Sequence, residues 1–207
     1  VNALPLDPEG VNGSSFRIKS RPRAEDALPP VSMYSVVSDD YFEAIGTRLL
    51  QGRTIERADY ERKRPVAVVS ETFAQSFLDG KAIGEQIRFG TDSTWLEIVG
   101  VVADVRTFGL KEEIQSMTYL PMTTPVSGAR IGLMQLVVRT NADPLALVNP
   151  LRSAVRRVDP SVPVLSARTM EDVVAESMAD TSFTMTILLI AAVVAMVLEA
   201  VGLYGVI

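Results

Sequence analysis

The feature that most constrains this chain is an apolar run at its C-terminal end. From Phe183 to Ile207 the only charged residue is Glu199. An α-helix rises about 1.5 Å per residue, so about 20 residues cross the roughly 30 Å hydrocarbon core of a bilayer. A helix buried in a globular domain rarely stays apolar on every face for this long. The run therefore predicts one transmembrane helix over residues 183–207.

The two ends of the sequence bear on what this segment belongs to. The chain begins with Val1 rather than Met, and it stops inside or just after the predicted span. A C-terminal position also excludes a cleaved signal peptide. We therefore expect the 207 residues to be a piece of a larger membrane protein.

The segment before the span, residues 170–182, is acidic and amphipathic. Its apolar side chains recur on one helical face: Met170, Val173, Val174 and Met178. Thr169 stands where a helix cap is expected. Neither Lys nor Arg occurs from Thr169 to the end, and cytoplasmic flanks of membrane helices collect Lys and Arg. We expect a stalk helix continuous with the span, and a globular part outside the cytoplasm.

Residues 1–169 are predicted as an α+β domain, because strand and helix patterns are interspersed along them. The predicted strands are Val31–Val37, Pro65–Val69, Gln86–Phe89, Leu96–Val102, Met117–Leu120, Ile131–Arg139 and Pro163–Ser166. The predicted helices are Asp40–Ile45, Glu71–Asp79 and Asp143–Val158. Residues 49–64 read as a loop.

Several helix ends and faces follow from single residues. Ser38 or Asp39 is expected to cap the first helix, and Gly46 to end it. Ser70 is expected to cap the second. In the third helix, Pro150 predicts a kink or a restart with Asn149 as the cap. The predicted core face of that third helix is Leu147, Leu151, Val155 and Val158.

Composition excludes several kinds of active site. The chain has no His and no Cys. This removes Ser-His-Asp and Cys-His nucleophiles, thiol redox centres and the usual ligands of zinc, haem and iron–sulfur clusters. Lys and Arg number 20 against 25 Asp and Glu, a net charge of −5. That balance argues against a nucleic-acid partner, which would favour a clustered basic face.

The remaining local motifs do not assemble a reactive site. Ser70 follows a buried strand and opens a helix, but it lacks the flanking glycines of a nucleophile elbow and a His base. Gly80-Lys81 lacks the spacing of a phosphate loop. The paired acids Asp39-Asp40 and Glu112-Glu113 are typical of capping or solvated positions. No catalytic, cofactor-binding or metal-binding residue is therefore assigned, and no cofactor is expected.

Glu199 lies inside the predicted span, where a charge costs at least about 2.5 kcal/mol. Two interpretations stay open. The carboxylate serves a function within the bilayer, or it faces neighbouring helices or extends towards the interface.

A series of short motifs resembles the MacB-like periplasmic core domain, and the C-terminal end resembles the second transmembrane helix of FtsX-like permeases. The motifs occur in the same order along nearly the whole chain, which makes the set more specific than any member. They are Val37–Gly46, Leu49–Arg53, Val66–Ala74, Ile83–Phe89, Glu97–Val105, Val137–Arg139 and Phe183–Ile207. Within this family, the chain resembles large-ectodomain permeases of the acidobacterial type.

The resemblance implies a fold and a function. The fold is a porter-like mixed α/β part with a strand-rich insert near residues 84–121, followed by one transmembrane helix. The function is that of a MacB/FtsX-type ABC permease subunit in the bacterial inner membrane, whose periplasmic domain is coupled by a stalk to ATP-driven helix motion for export or efflux. Such a subunit is not itself an enzyme.

The resemblance also implies partners: a cytoplasmic ABC ATPase subunit, a second permease copy, an adaptor or cargo in the periplasm, and membrane lipid. Two features depart from the family. Glu199 replaces a small apolar residue, and the loop Asp79–Ile83 lacks a Pro that relatives often carry.

Two other functions stay open from the residues alone. One is a membrane-anchored extracytoplasmic domain that binds or senses a ligand, which a deep pocket would favour. The other is a hydrolase built on carboxylates, which functional loss on mutation of its acids would reveal.

Overall fold

The computed structural model of the chain describes residues 1, 4–7, 11–22, 27–109, 112–124, 134–164 and 166–204. In the last helix, the side chains at 179–187, 197 and 199–204 are not described. The chain forms two compact units, residues 1–141 and residues 142–207.

The first unit carries a sheet with three short helices. The strands that the structure describes are β1 Asn12–Ile18, β2 Val31–Val37, β3 Leu49–Gly52, β4 Val66–Ser70, β5 Gln86–Phe89, β6 Leu96–Val102 and β7 Met117–Pro121. The helices are α1 Tyr41–Ile45, α2 Arg57–Glu61 and α3 Glu71–Leu78. Strands and helices are interspersed along the chain, which gives a mixed α/β fold.

The strand order is β3-β6-β4-β7-β2-β1-β5, and β5 also pairs with β6. Six strands therefore close into a hydrogen-bonded ring, with β3 added at β6. The pairs β2–β7 and β4–β6 are parallel, and the other pairs are antiparallel. The segment expected as an insert, residues 84–121, contributes β5, β6 and β7 to the same sheet as the strands that precede it.

Side-chain alternation along the central strands supplies two hydrophobic clusters. Val36 and Leu120 belong to the first cluster, whereas their chain neighbours Val37 and Tyr119 belong to the second. The first cluster also contains Phe16, Phe73, Leu78, Ile87, Phe89 and Ile98, and the second contains Tyr41, Phe42 and Ile55. Strands with both faces covered carry continuous apolar runs, and every residue of β4 is buried accordingly.

The start of α3 agrees with the sequence prediction. The Ser70 hydroxyl accepts a hydrogen bond from the Phe73 amide at 3.3 Å, as an N-cap does. Asp104, which follows β6, also holds this turn. Its carboxylate accepts hydrogen bonds from the amide and the hydroxyl of Thr72 at 2.9 and 2.7 Å. Helix α3 is thereby fixed at its first turn.

The start of α1 differs from the sequence prediction. The residue before the helix is Asp40, and its side chain forms no capping hydrogen bond, so the prediction of a Ser38 or Asp39 cap is wrong. The Tyr41 amide instead donates to the Ser38 backbone carbonyl at 3.3 Å. Gly46 ends the helix in the left-handed conformation at φ 76°, as predicted.

The predicted loop 49–64 contains two ordered elements, β3 and α2. Strand β3 pairs with β6, and the Arg53 amide donates to the Val99 carbonyl at 2.9 Å. In α2, the Asp59 carboxylate accepts a bond from the Glu56 amide at 3.0 Å. Both elements are short and depend on partners elsewhere in the chain, which is why the local pattern did not reveal them.

Two predicted strands are absent from the described residues. At 134–140 the backbone is not in a strand, and Gln135 instead exchanges both backbone hydrogen bonds with Val1 alone. At 163, 164 and 166 the chain is also irregular, and residues 131–133 and 165 lie outside the description. Alternation of apolar residues is insufficient here because a strand also needs a partner along its length.

The second unit starts with a 3₁₀ turn, Pro144–Leu147, followed by α4, Val148–Val158. The restart near Pro150 is confirmed, but α4 begins at Val148, so Asn149 is inside the helix and is not its cap. Pro150 falls in the first turn, where its missing N–H is tolerated. Val158 is 89% exposed, so its assignment to a core face is wrong.

Helix α5 is continuous from Met170 to Tyr204, a length of 35 residues. Thr169 and Asp172 cap it reciprocally. The Thr169 amide donates to the Asp172 carboxylate at 3.1 Å, and the Asp172 amide donates to the Thr169 hydroxyl at 3.1 Å. Among the residues whose side chains are described, no helix has the length and apolarity needed to cross a membrane.

Candidate functional site

The structure assigns the sequence motifs to structural roles. The Ser70 hydroxyl is buried, and it accepts from the Met117 amide at 3.1 Å as well as from Phe73. Both acceptor positions are thus used within the fold, and the hydroxyl joins α3 to β7. Gly80 and Lys81 form the turn after α3, where their amides donate to Ala74 and Leu78.

One member of the acidic pairs, Asp39, has a structural contact. Asp39 pairs with Arg57 at 3.6 Å, next to α1. Within the described residues, no group of three His, Cys, Asp or Glu residues could hold a metal ion. The side chain of Glu199 is outside the description, so both interpretations of it stay as predictions.

A cavity of about 430 Å³ opens beside β1 and β5, and sequence reasoning did not find it. We call it the basic cavity and define it by four cationic and two aromatic side chains: Arg17, Lys19, Arg21, Arg88, Phe77 and Trp95. No acidic side chain lines it among the described residues. The cavity concentrates positive charge in a chain whose net charge is −5.

Strand pairing brings these cations together. In the antiparallel pair β1–β5, Phe16 lies opposite Phe89, Arg17 opposite Arg88, and Ile18 opposite Ile87. Phe16, Phe89 and Ile87 are buried in the core, so the two arginines between them project from the other face of the strands. Directly opposite side chains in such a pair have Cβ atoms about 5 Å apart. The register therefore places two like-charged side chains next to one another.

Trp95 supplies the flat wall of the basic cavity. The Arg88 guanidinium carbon lies 4.8 Å from the centroid of the indole ring, and Lys19 Nζ lies 5.9 Å from it. Both distances are typical of cation–π contacts. Arg88 Nε is buried and has no hydrogen-bond partner among the described residues.

The other two cations have partners at the rim. Lys19 Nζ donates to the Gln86 side-chain carbonyl at 2.7 Å, and Arg21 pairs with Asp79 at 2.6 Å. Both contacts are exposed, and exposed ion pairs contribute little to stability. Among the described residues, Arg21 is thus the one cation of the basic cavity with a carboxylate partner, and Arg17, Lys19 and Arg88 have none.

A family profile described as MacB-like periplasmic core domain matches residues 4–158, which is more than half of the chain. The chain belongs to the MacB-like periplasmic core domain family. The matched residues cover the whole sheet of the first unit together with α4.

Solved structures to which the chain is similar come from several bacteria. The periplasmic region of MacB from Actinobacillus actinomycetemcomitans aligns at 14% identity and a TM-score of 0.51, covering 72% of this chain and 64% of that one. The extracellular domain of the noncanonic ABC-type transporter YknZ from Gram-positive bacteria aligns at 18% identity and 0.39, over 54% and 50%. A domain of a permease protein from Porphyromonas gingivalis aligns at 18% and 0.45, over 70% and 60%.

At 14% identity the likeness to the periplasmic region of MacB concerns the fold alone. The MacB-like chain spans less than two thirds of the length of each of these three solved structures. A search of curated proteins finds no match.

Proposed function

We propose that this MacB-like chain is the extracytoplasmic domain, with one membrane helix, of a bacterial ABC permease subunit of the MacB/FtsX kind. The observation that carries the proposal is the family match over residues 4–158 in a chain that continues into the 35-residue helix α5. The subunit would work with a cytoplasmic ABC ATPase and a second copy of itself, in the bacterial inner membrane.

The membrane part of the proposal rests on the distal part of α5. Described apolar side chains there are between 51% and 67% exposed: Leu188, Leu189, Ile190, Val193, Val194, Met196 and Leu198. They lie on all sides of the helix, since residues 188–190 alone cover about 200° of its circumference. Hydrocarbon is the environment that favours such a helix, and we propose that residues 183–207 lie in the bilayer.

The stalk, residues 170–182, would transmit force between membrane and domain. A helix keeps its backbone hydrogen bonds within itself, so it resists bending where a loop would yield. The reciprocal Thr169–Asp172 cap and the Arg168–Glu176 ion pair at 2.8 Å hold its first turns. ATP-driven motion of the membrane helices would then reach residues 1–169, and through them an adaptor or cargo in the periplasm.

Orientation is the first test. A reporter enzyme that is active only outside the cytoplasm would be inserted after Arg168 in the full-length protein, and a reporter that fluoresces only in the cytoplasm would be inserted at the same position. We expect activity from the first and no fluorescence from the second. The reverse pattern would show that the domain faces the cytoplasm and would refute the proposal.

The second test concerns the stalk. A seven-residue Gly-rich insert at Ala179 should abolish transport while leaving expression and folding intact. A seven-residue Ala-rich insert at the same site is the matched control, because seven residues are about two helical turns and preserve the continuous helix. Equal transport by both variants would show that the stalk carries no force.

One observation favours a second function, a ligand-binding or sensor domain on a membrane anchor. The basic cavity has a volume within the range of small-molecule sites, and it combines apolar walls with converging polar groups. The two functions separate in the full reading frame: a permease has several membrane helices and a neighbouring ATPase, whereas a sensor has a single anchor.

A further inference from the structure

We propose that the basic cavity binds an amphiphilic oxyanion, a phosphate or carboxylate group carried on an apolar body. The inference rests on the first unit alone and does not depend on the permease proposal. Its basis is the juxtaposition of Arg17 and Arg88 beside Trp95, which the fold leaves without an anionic partner among the described residues.

The first argument is the strand register. Like charges placed directly opposite each other in an antiparallel pair destabilise it. Arg17 and Arg88 occupy such positions, and the pairs on either side of them, Phe16–Phe89 and Ile18–Ile87, fix the register through the core. An anion between the two guanidinium groups would convert the repulsion into two attractions.

The second argument is the unsatisfied Arg88 Nε. Buried polar groups are almost always hydrogen-bonded, and one that is not needs an explanation. Arg88 is held against the Trp95 ring at 4.8 Å, so its guanidinium has a fixed plane from which to offer parallel N–H donors. At binding sites, arginine commonly binds a carboxylate or phosphate group through two parallel N–H···O hydrogen bonds in one plane.

The third argument is the apolar part of the lining. Ile18 and Phe77, which are only partly buried, line the same cavity as the cations. A bare inorganic ion would leave this apolar surface in contact with water, whereas an apolar body would cover it. At about 430 Å³, the cavity has room for a charged group and for an aromatic or short acyl body.

The experiment uses Trp95 as its probe, because it is the only tryptophan of the chain. The full 207-residue chain would be titrated with phenyl phosphate, with dihexanoyl phosphatidic acid, with inorganic phosphate and with benzyl alcohol, while indole fluorescence is recorded. We expect a saturable change with phenyl phosphate or with the short lipid, and binding that weakens as NaCl is added. The tighter of these two probes identifies a soluble anion or a lipid as the ligand source.

Variants separate binding from folding. Arg88→Gln and Arg17→Gln should each weaken binding of the tighter probe about 10- to 100-fold, the range expected for loss of a charge-assisted hydrogen bond. Arg62→Gln removes an exposed arginine outside the cavity and should bind as the unsubstituted chain does. Thermal unfolding shows whether each variant is folded. Because Arg17 is exposed, the Arg17→Gln variant still tests the proposal if Arg88→Gln fails to fold.

Four outcomes would overturn the inference. If inorganic phosphate binds as tightly as phenyl phosphate, the ligand does not need an apolar body. If benzyl alcohol binds as tightly as phenyl phosphate, the ligand does not need a charge. No saturable change with either amphiphile, or equal binding by Arg17→Gln and the unsubstituted chain, would leave the cavity without the proposed function. All of these results are independent of the orientation and stalk tests.

Discussion

The Asp59 carboxylate is fully buried and is held by Arg53 through two hydrogen bonds, from Nη1 at 2.6 Å and from Nη2 at 3.0 Å. Together with the Glu56 amide, this pairing fixes α2 next to β3. Burial alone would raise the pKa of Asp59, but the hydrogen bonds from Arg53 and Glu56 and the charges of Arg53 and Arg64 lower it overall.

The first prediction concerns the Arg53–Asp59 pair. Asp59→Asn keeps the shape and the acceptor for the Glu56 amide but leaves Arg53 without its counter-charge. We expect a loss of about 2 kcal/mol in the free energy of unfolding at neutral pH, since Arg53 is itself only partly exposed. Denaturant unfolding measures this, with Arg57→Gln as the control that should cost at most about 0.5 kcal/mol. If Asp59→Asn and Arg57→Gln lower the free energy of unfolding equally, the burial of Asp59 adds nothing to the stability that its ion pair provides.

The second prediction is the pH dependence of that pair. Because folding lowers the pKa of Asp59, its stabilising contribution is complete above the ordinary carboxyl pKa of 3.8 and is lost as the pH falls through the lower folded value. The stability difference between the unsubstituted chain and Asp59→Asn should therefore shrink below about pH 4. A difference that stays constant down to acid unfolding would contradict the assignment.

These contacts show which elements of the fold could be predicted from the sequence and which could not. The buried run of β4 and the Ser70 cap were predictable, because each depends on neighbours within a few residues. Elements β3 and α2 were missed, because their stability comes from Val99 and from the Arg53–Asp59 pair, which no local pattern displays. Residues 134–139 were assigned to a strand from their alternation, but the described backbone there has no ladder.

The basic cavity could not be predicted at all. Arg17 and Arg88 are far apart in the chain and become neighbours only through the β1–β5 pairing and its register. The sequence shows them as two ordinary cations in alternating segments. The net charge of −5 even pointed away from a basic site, because an average over the chain does not report local clustering.

The third prediction follows from that register. Without a bound anion, Arg17→Gln should stabilise the fold by up to about 1 kcal/mol at low salt, since it removes the repulsion from Arg88. The gain should vanish at high salt, where the two charges are screened. Thermal unfolding at two NaCl concentrations measures it, with Arg62→Gln as the control. Destabilisation at low salt would mean that Arg17 packs favourably without a ligand.

The fourth prediction concerns Gly100 in β6. A Cβ atom added there would lie 2.0 Å from the Arg53 carbonyl oxygen, which is backbone and cannot turn aside. Gly100→Ala should therefore destabilise the first unit by about 2 kcal/mol or more, by forcing β3 away from β6. At Gly84→Ala the added Cβ atom meets no other atom within 4 Å, but the backbone is at φ 82°, so the cost there would be strain alone. A smaller loss at Gly100 than at Gly84 would contradict the close approach.

The fifth prediction concerns the tyrosines. Burial raises the pKa of Tyr34, Tyr41, Tyr60 and Tyr119. Their contribution to stability is complete below the ordinary value of 10.0 and is lost as the pH rises through the folded values. The ultraviolet absorbance of tyrosinate should therefore rise together with unfolding, monitored by circular dichroism. Full ionisation of these four side chains in a folded chain would refute the burial.

The length of the continuous helix α5 determines how far a tilt about one end would move the other end. Its 35 residues extend over about 50 Å. If such a helix pivots near one end as a stiff rod, a tilt of about 10° displaces the other end by about 9 Å. Small angular changes at one end would then become displacements of molecular size at the other, and a helix that pivots in this way would act as a lever whose gain is fixed by its length.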